Sequence, residues 1–166
     1  ASFSITNESR WAFAVLDECG IQYDSSVMPI RHHRYGIPEA SPLPHVAAGQ
    51  GTLVEFPVST INVMGRNIPF AGGAYFRFLP YSFVKACVRF LNRRGIPVMF
   101  YIHPWEMDPG QRRMDLDWKR GMRCYYNIEK TEAKLRRLLA DFPFGRAVDV
   151  LRGLGMDTLP RVEMTT

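Results

Sequence analysis

One stretch narrows the choice of folds more than any other. From Pro80, the residues Phe83, Val84, Cys87, Phe90 and Leu91 recur at helical spacing, Arg93 and Arg94 suit the C-terminal end of the helix dipole, and Gly95 supplies the stop. Pro97 then leads into Val98-Met99-Phe100-Tyr101-Ile102, an uninterrupted apolar run. A strand solvated on one face alternates apolar with polar residues, whereas a parallel strand covered on both faces does not. The segment therefore predicts a helix followed by a buried parallel strand, the signature of an α/β fold, with His103 at the strand's end.

The flanking sequence fills in this frame. Thr6 can cap a helix carrying Trp11, Ala14, Val15 and Leu16, Gly20 ends it, and Ile21-Gln22-Tyr23 reads as a short strand. Between Pro29 and Gln50 the chain turns to Pro, Gly, His and Ala, which predicts a long loop. Thr52 to Val58 and Ile61 to Met64 are short β-branched runs interrupted by Pro57, expected as edge strands or a hairpin, and Gly72-Gly73 marks a bend. A polar loop is expected from Asp108 to Tyr126. Beyond it, Asn127 caps a helix bearing Leu135, Leu138 and Leu139, and Phe144 to Leu154 forms one more short helix. The residues after Gly155 read as a frayed end.

Composition limits the function classes. At 166 residues and 46% hydrophobic content, the chain can build one sizeable core, and we expect a single domain over 1–166. Its net charge of +5 is compatible with a polyanion, an anionic membrane surface or simple solubility. The basic pairs Arg93-Arg94, Arg112-Arg113 and Arg136-Arg137 are not interleaved with aromatics as in a nucleic-acid module, so no nucleic-acid partner is expected. Cys19, Cys87 and Cys124 lack the spacing of a zinc site or a complete disulfide framework, and Cys19 and Cys87 read as core. No run reaches the roughly 18 apolar residues of a membrane span, and no signal-peptide pattern opens the chain. The first residue is Ala1, directly ahead of a helix-forming stretch, which leads us to expect an upstream portion.

The candidate chemistry centres on His103-Pro104-Trp105-Glu106. In barrels of alternating strands and helices, catalytic groups gather at the C-terminal ends of strands. An imidazole there can protonate a leaving amine or activate water, Trp105 can stack on a sugar, and Glu106 can orient the imidazole. The alternative reading is a histidine bonded to backbone, with Trp105 as loop packing. Asp24 can orient His103 or contact a sugar, or else cap the Ser25-Ser26 turn. Tyr75 and Arg77 can line a sugar groove, or else be a strand residue and a surface charge. His32 and His33 point apart in an extended chain and have no third ligand at a usual spacing, and His45 adds no firm signal.

Several of these segments, in this order, resemble polysaccharide deacetylases (carbohydrate esterase family 4): Ser2-Phe3-Ser4-Ile5-Thr6, Tyr23-Asp24-Ser25-Ser26, Glu55-Phe56-Pro57, Gly72-Gly73, Tyr75-Phe76-Arg77 and Phe100 to Glu106. Arg31 to Pro38 and Lys130 to Leu135 resemble the branch associated with bacterial exopolysaccharide gene clusters. The resemblance spans nearly the whole chain and implies the C-terminal part of a distorted (β/α) barrel. It implies removal of N-acetyl groups from an amino-sugar polysaccharide by a divalent metal, with zinc the expected ion, an aspartate base, and a histidine that protonates the departing nitrogen. His103 resembles that histidine. The family's metal ligands and base lie upstream of an Arg-x-Pro motif, and Ala1 stands where its proline would be. The resemblance thus implies that a preceding segment completes the site, that this chain holds no metal alone, and that a backbone N–H near Ser2 serves an oxyanion. Two other readings remain: a non-catalytic glycan-binding module on the same fold, and an anion-binding protein acting through its basic excess.

Overall fold

The computed structural model describes residues 3–32, 35–47 and 51–162. In chain order its elements are α1 (Ala12–Glu18), β1 (Tyr23–Asp24), β2 (His45–Ala47), β3 (Val54–Glu55), β4 (Thr60–Val63), β5 (Arg66–Pro69), α2 (Gly73–Phe78), α3 (Tyr81–Asn92), α4 (Trp118–Tyr125), α5 (Ile128–Asp141), α6 (Ala147–Leu154) and β6 (Arg161–Val162). They divide into two units, one of residues 1–69 with 145–166 and one of residues 70–144.

The first unit is organised by a four-stranded sheet in the order β1-β3-β2-β6, in which β3 lies parallel to β1 and antiparallel to β2, and β6 lies parallel to β2. Thr6 does not start the helix directly. It begins a single 3-10 turn over Asn7–Ser9, where the Ser9 hydroxyl accepts the Thr6 N–H at 2.9 Å. Because α1 starts only at Ala12, it turns Phe13 into the core and leaves Trp11 and Val15 exposed, a different face from the one expected. Ile5, Phe13, Val27, Ile37, Ala40, Ala47 and Leu53 form the core here, with Ala12 and Leu16 packed against it.

Two sequence expectations change in this unit. The region read as one long loop contains β2, fully buried at the sheet's interior, and β3 is an interior strand rather than an edge. Both are too short for periodicity to register, and besides pairing with each other they depend on β1 and β6, which lie far away in sequence. Likewise the segment after Gly155 is not frayed as far as Val162, because β6 pairs with β2 through Val46↔Arg161 and Ala47↔Val162. The hairpin expected between Thr52–Val58 and Ile61–Met64 is not the one formed: β3 pairs with β1 and β2, and β4 instead turns back onto β5 at Met64-Gly65, where both φ angles are positive, 51° and 79°.

In the second unit, α3 follows Pro80 as expected, but its buried face is Val84, Cys87, Val88 and Leu91, with Phe83 and Phe90 at the exposed margins. The helix α5 begins after Asn127 as expected, but Asn127 does not cap it through its side chain: its φ is 55° and its amide instead donates to the Arg77 carbonyl at 3.0 Å. The loop expected from Asp108 to Tyr126 includes α4, started by the Asp117 carboxylate accepting the Lys119 and Arg120 N–H groups, both at 3.1 Å. Cys19, read as core, is exposed, while Cys87 is buried and its thiol is pushed above the usual range by that burial.

Candidate functional site

The run Val98–Ile102, expected as a parallel strand buried on both faces, is instead half-buried and forms no strand ladder: its one parallel bridge among the described residues is between Tyr101 and Gly72. The Tyr101 N–H donates to the Ala71 carbonyl at 3.2 Å, and the Tyr101 carbonyl accepts the Gly73 N–H at 3.3 Å. Such close approach requires glycine. Gly72 has φ 131° and ψ −179°, a conformation open essentially to glycine alone, and a Cβ there would meet the Tyr101 carbonyl oxygen at 1.9 Å. The clasp fixes the backbone two residues before His103.

On its other side His103 is fixed by the 3-10 turn Pro104–Met107, where Pro104 occupies the first position and thus costs no backbone donor. The Glu106 carboxylate bridges two partners. One oxygen accepts the His103 N–H at 3.0 Å and the other accepts the Arg77 Nε at 3.0 Å. Arg77 spends its remaining donors on backbone carbonyls, from Nη1 to Cys124 at 3.0 Å and Tyr126 at 3.1 Å, and from Nη2 to Arg123 at 3.0 Å. Both side chains are 1% exposed, so the ion pair is desolvated and every charge-bearing atom is used internally.

The His103 ring itself faces solvent. It stacks on Trp105 with centroids 6.1 Å apart and planes 12° apart, and meets Tyr101 edge-on at 5.3 Å. The Arg77 guanidinium carbon lies 5.4 Å from the Trp105 centroid, behind the row. The result is an aromatic row of Tyr101, His103 and Trp105, presented on a backbone that is locked from both sides. Trp105 is 40% exposed.

The structure sorts the expected site residues. His103, Trp105 and Glu106 come together, with Glu106 holding the histidine backbone and not its ring as expected. Arg77 is neither a surface charge nor a groove residue: it is buried on a helix and acts as scaffold. Tyr75 lies half-buried on α2, not on a strand. Ser2 and His33 lie outside the described residues. Asp24 belongs to the first unit, where its carboxylate accepts the Ser26 hydroxyl at 2.9 Å, the turn-capping role.

Asp24 also takes part in a second arrangement. The register pairs Asp24 with Glu55 and Glu55 with His45, so three ionisable side chains stand in one row across β1, β3 and β2 on one face of the sheet. Glu55 and His45 are fully buried. Glu55 accepts the Val27 N–H at 2.9 Å, and its pKa is pushed up to about 8, first by desolvation and further by the neighbouring Asp24 carboxylate. Asp24 Oδ2 and Glu55 Oε2 are buried without a donor from any other described group. A proton held on Glu55 supplies the missing donor, so the two carboxyls act as one acid–carboxylate pair. His45 bonds through Nδ1 to the Leu43 carbonyl at 2.8 Å, finds no partner for Nε2 among the described residues, and has its pKa lowered by burial. From sequence His45 gave no firm signal, and Glu55 entered only within the Glu55-Phe56-Pro57 segment that resembles the deacetylases. The available signal was a carboxylate in the middle of the apolar run Leu53-Val54-Glu55-Phe56.

Among the described residues, no three His, Cys, Asp or Glu side chains form a set of metal ligands, and no helix is long and apolar enough to cross a membrane. The profile of a domain of unknown function, DUF3473, matches residues 25–152. The chain belongs to the DUF3473 family. The match takes in both groups of residues in this DUF3473 chain, the His103 row and the Glu55–His45 pair, and begins one residue after Asp24. Comparison with curated proteins and with solved structures gives no match.

Proposed function

We propose that this DUF3473 chain is the C-terminal portion of a polysaccharide deacetylase with a distorted (β/α) barrel. The complete protein hydrolyses N-acetyl groups on an amino-sugar polysaccharide with the help of a divalent metal, zinc being the expected ion. The observation that carries the reading is His103, a solvent-facing imidazole on a backbone held by Gly72-Gly73 on one side and Glu106 on the other, within the motif that resembles the family's histidine acid.

In this role, once water has added to the acetamide carbonyl, the protonated His103 donates to the amide nitrogen as the C–N bond breaks, so that the sugar leaves as an amine and the acyl group, carrying the water oxygen, as acetate. Trp105 and Tyr101 supply the stacking face for the pyranose ring. Following the family resemblance, the proposal assigns the metal and the aspartate base to a segment that precedes this chain.

Acetate release from partially acetylated glucosamine oligomers tests the reading, with zinc or cobalt added. This chain is compared with a longer polypeptide that includes sequence preceding residue 1. Activity in the longer form that falls by about a hundredfold or more on His103→Ala supports it. Oligomer binding by both forms without acetate release refutes it in favour of a glycan-binding module, a reading that the aromatic row also accommodates.

A further inference from the structure

The positive charge of the chain is not spread evenly. Residues 70–144 carry 14 Lys and Arg against 7 Asp and Glu, net +7, while the other unit carries 7 against 9, net −2. Within the basic unit, α4 contributes no buried residue at all. Trp118 and Met122 lie one turn apart on the same helical face and are 72% and 48% exposed. Tyr125 shares that face, and its hydroxyl accepts the Met114 N–H at 2.9 Å, which ties the preceding segment to the helix and leaves Met114 66% exposed. Lys119, Arg120 and Arg123 occupy the remaining faces, and Arg112 and Arg113 precede them. The C-terminal carbonyls of α4 are held by Arg77, so the helix is anchored at its end while its body carries exposed apolar and cationic side chains.

We propose that α4, together with Met114, docks this unit on an anionic lipid bilayer surface. An amphipathic helix with Trp and Met on one face and Lys and Arg on the others is suited to lying in the headgroup region, where the apolar side chains enter and the cations meet lipid phosphates. A soluble acidic glycan fits less well. Two of the three exposed apolar side chains are methionines, which offer neither a flat face for a sugar ring nor a donor for its hydroxyls. At eight residues, about 12 Å long, the helix lies on a bilayer and does not cross it.

The test is co-sedimentation of this chain with vesicles of phosphatidylcholine alone and of phosphatidylcholine mixed with phosphatidylglycerol, at low and high salt, with tryptophan emission read in parallel. Binding is expected to the anionic vesicles, to weaken with salt, and to shift tryptophan emission to the blue. Trp118→Ala with Met122→Ala is expected to weaken binding roughly tenfold or more. Each cation removed by Lys119→Gln or Arg120→Gln is expected to weaken it about fivefold. No α4 residue is buried, so circular dichroism of these variants should match the parent. Equal binding to neutral and anionic vesicles, no binding to either, variants that bind like the parent, or capture by soluble alginate in preference to vesicles would each overturn the proposal.

Discussion

Glu55→Gln isolates the acid–carboxylate pair of the first unit. In the folded protein the Glu55 carboxyl holds its proton up to about pH 8, whereas the ordinary value is 4.5. Below that ordinary value both folded and unfolded chains are protonated at this position and pH has no effect through it. Between the two values the unfolded chain releases the proton and the folded chain keeps it, so the unfolded state binds fewer protons and stability falls as pH rises. The slope is about 1.4 kcal/mol per pH unit, on the order of 4 kcal/mol over the whole window. The amide keeps an oxygen for the Val27 N–H and a nitrogen donor for Asp24, but it does not titrate. Urea unfolding of both proteins at pH 5, 6, 7 and 8 reads the difference directly. The variant should be close to the parent near pH 5 and gain steadily on it toward pH 8. Asp24→Asn should shorten the window, because it removes the neighbouring charge that raises the Glu55 value. A parent-to-variant difference that stays constant across this range would refute the shared proton.

Two further predictions concern the scaffold beneath His103. Arg77→Met should cost about 3–5 kcal/mol in urea unfolding, because it strands the buried Glu106 carboxylate and three carbonyls. Arg77→Lys should recover little, since an ammonium cannot serve the carboxylate and the three carbonyls from one fork, and a parent-like midpoint for it would contradict the assignment. Gly72→Ala should lose about 2 kcal/mol or more, as its Cβ meets the Tyr101 carbonyl in a backbone conformation closed to alanine. An unchanged thermal midpoint would show that the clasp is not required.

What could be read from the sequence was whatever local rules govern. The start and stop of α3, the start of α5 and the Gly72-Gly73 bend each depend on residues within a few positions of one another. The motif around His103 was legible for the same reason, being contiguous. The helical face of α1 was misread because a 3-10 turn displaced its start, and a shift of a few residues rotates which side chains face the core.

The sequence by itself determined the alternation of helix-forming and strand-forming segments, the basic excess, and the position of a histidine after an apolar run. Only the tertiary structure decided what long-range pairing controls: β2 as an interior strand inside a stretch that reads as loop, β6 completing the sheet from the far end, and Arg77 buried against Glu106 across 29 residues. The row of Asp24, Glu55 and His45 follows from the same cause. Strand register places the three ionisable groups side by side, and burial then raises the proton affinity of Glu55 and lowers that of His45 in ways that no local pattern encodes.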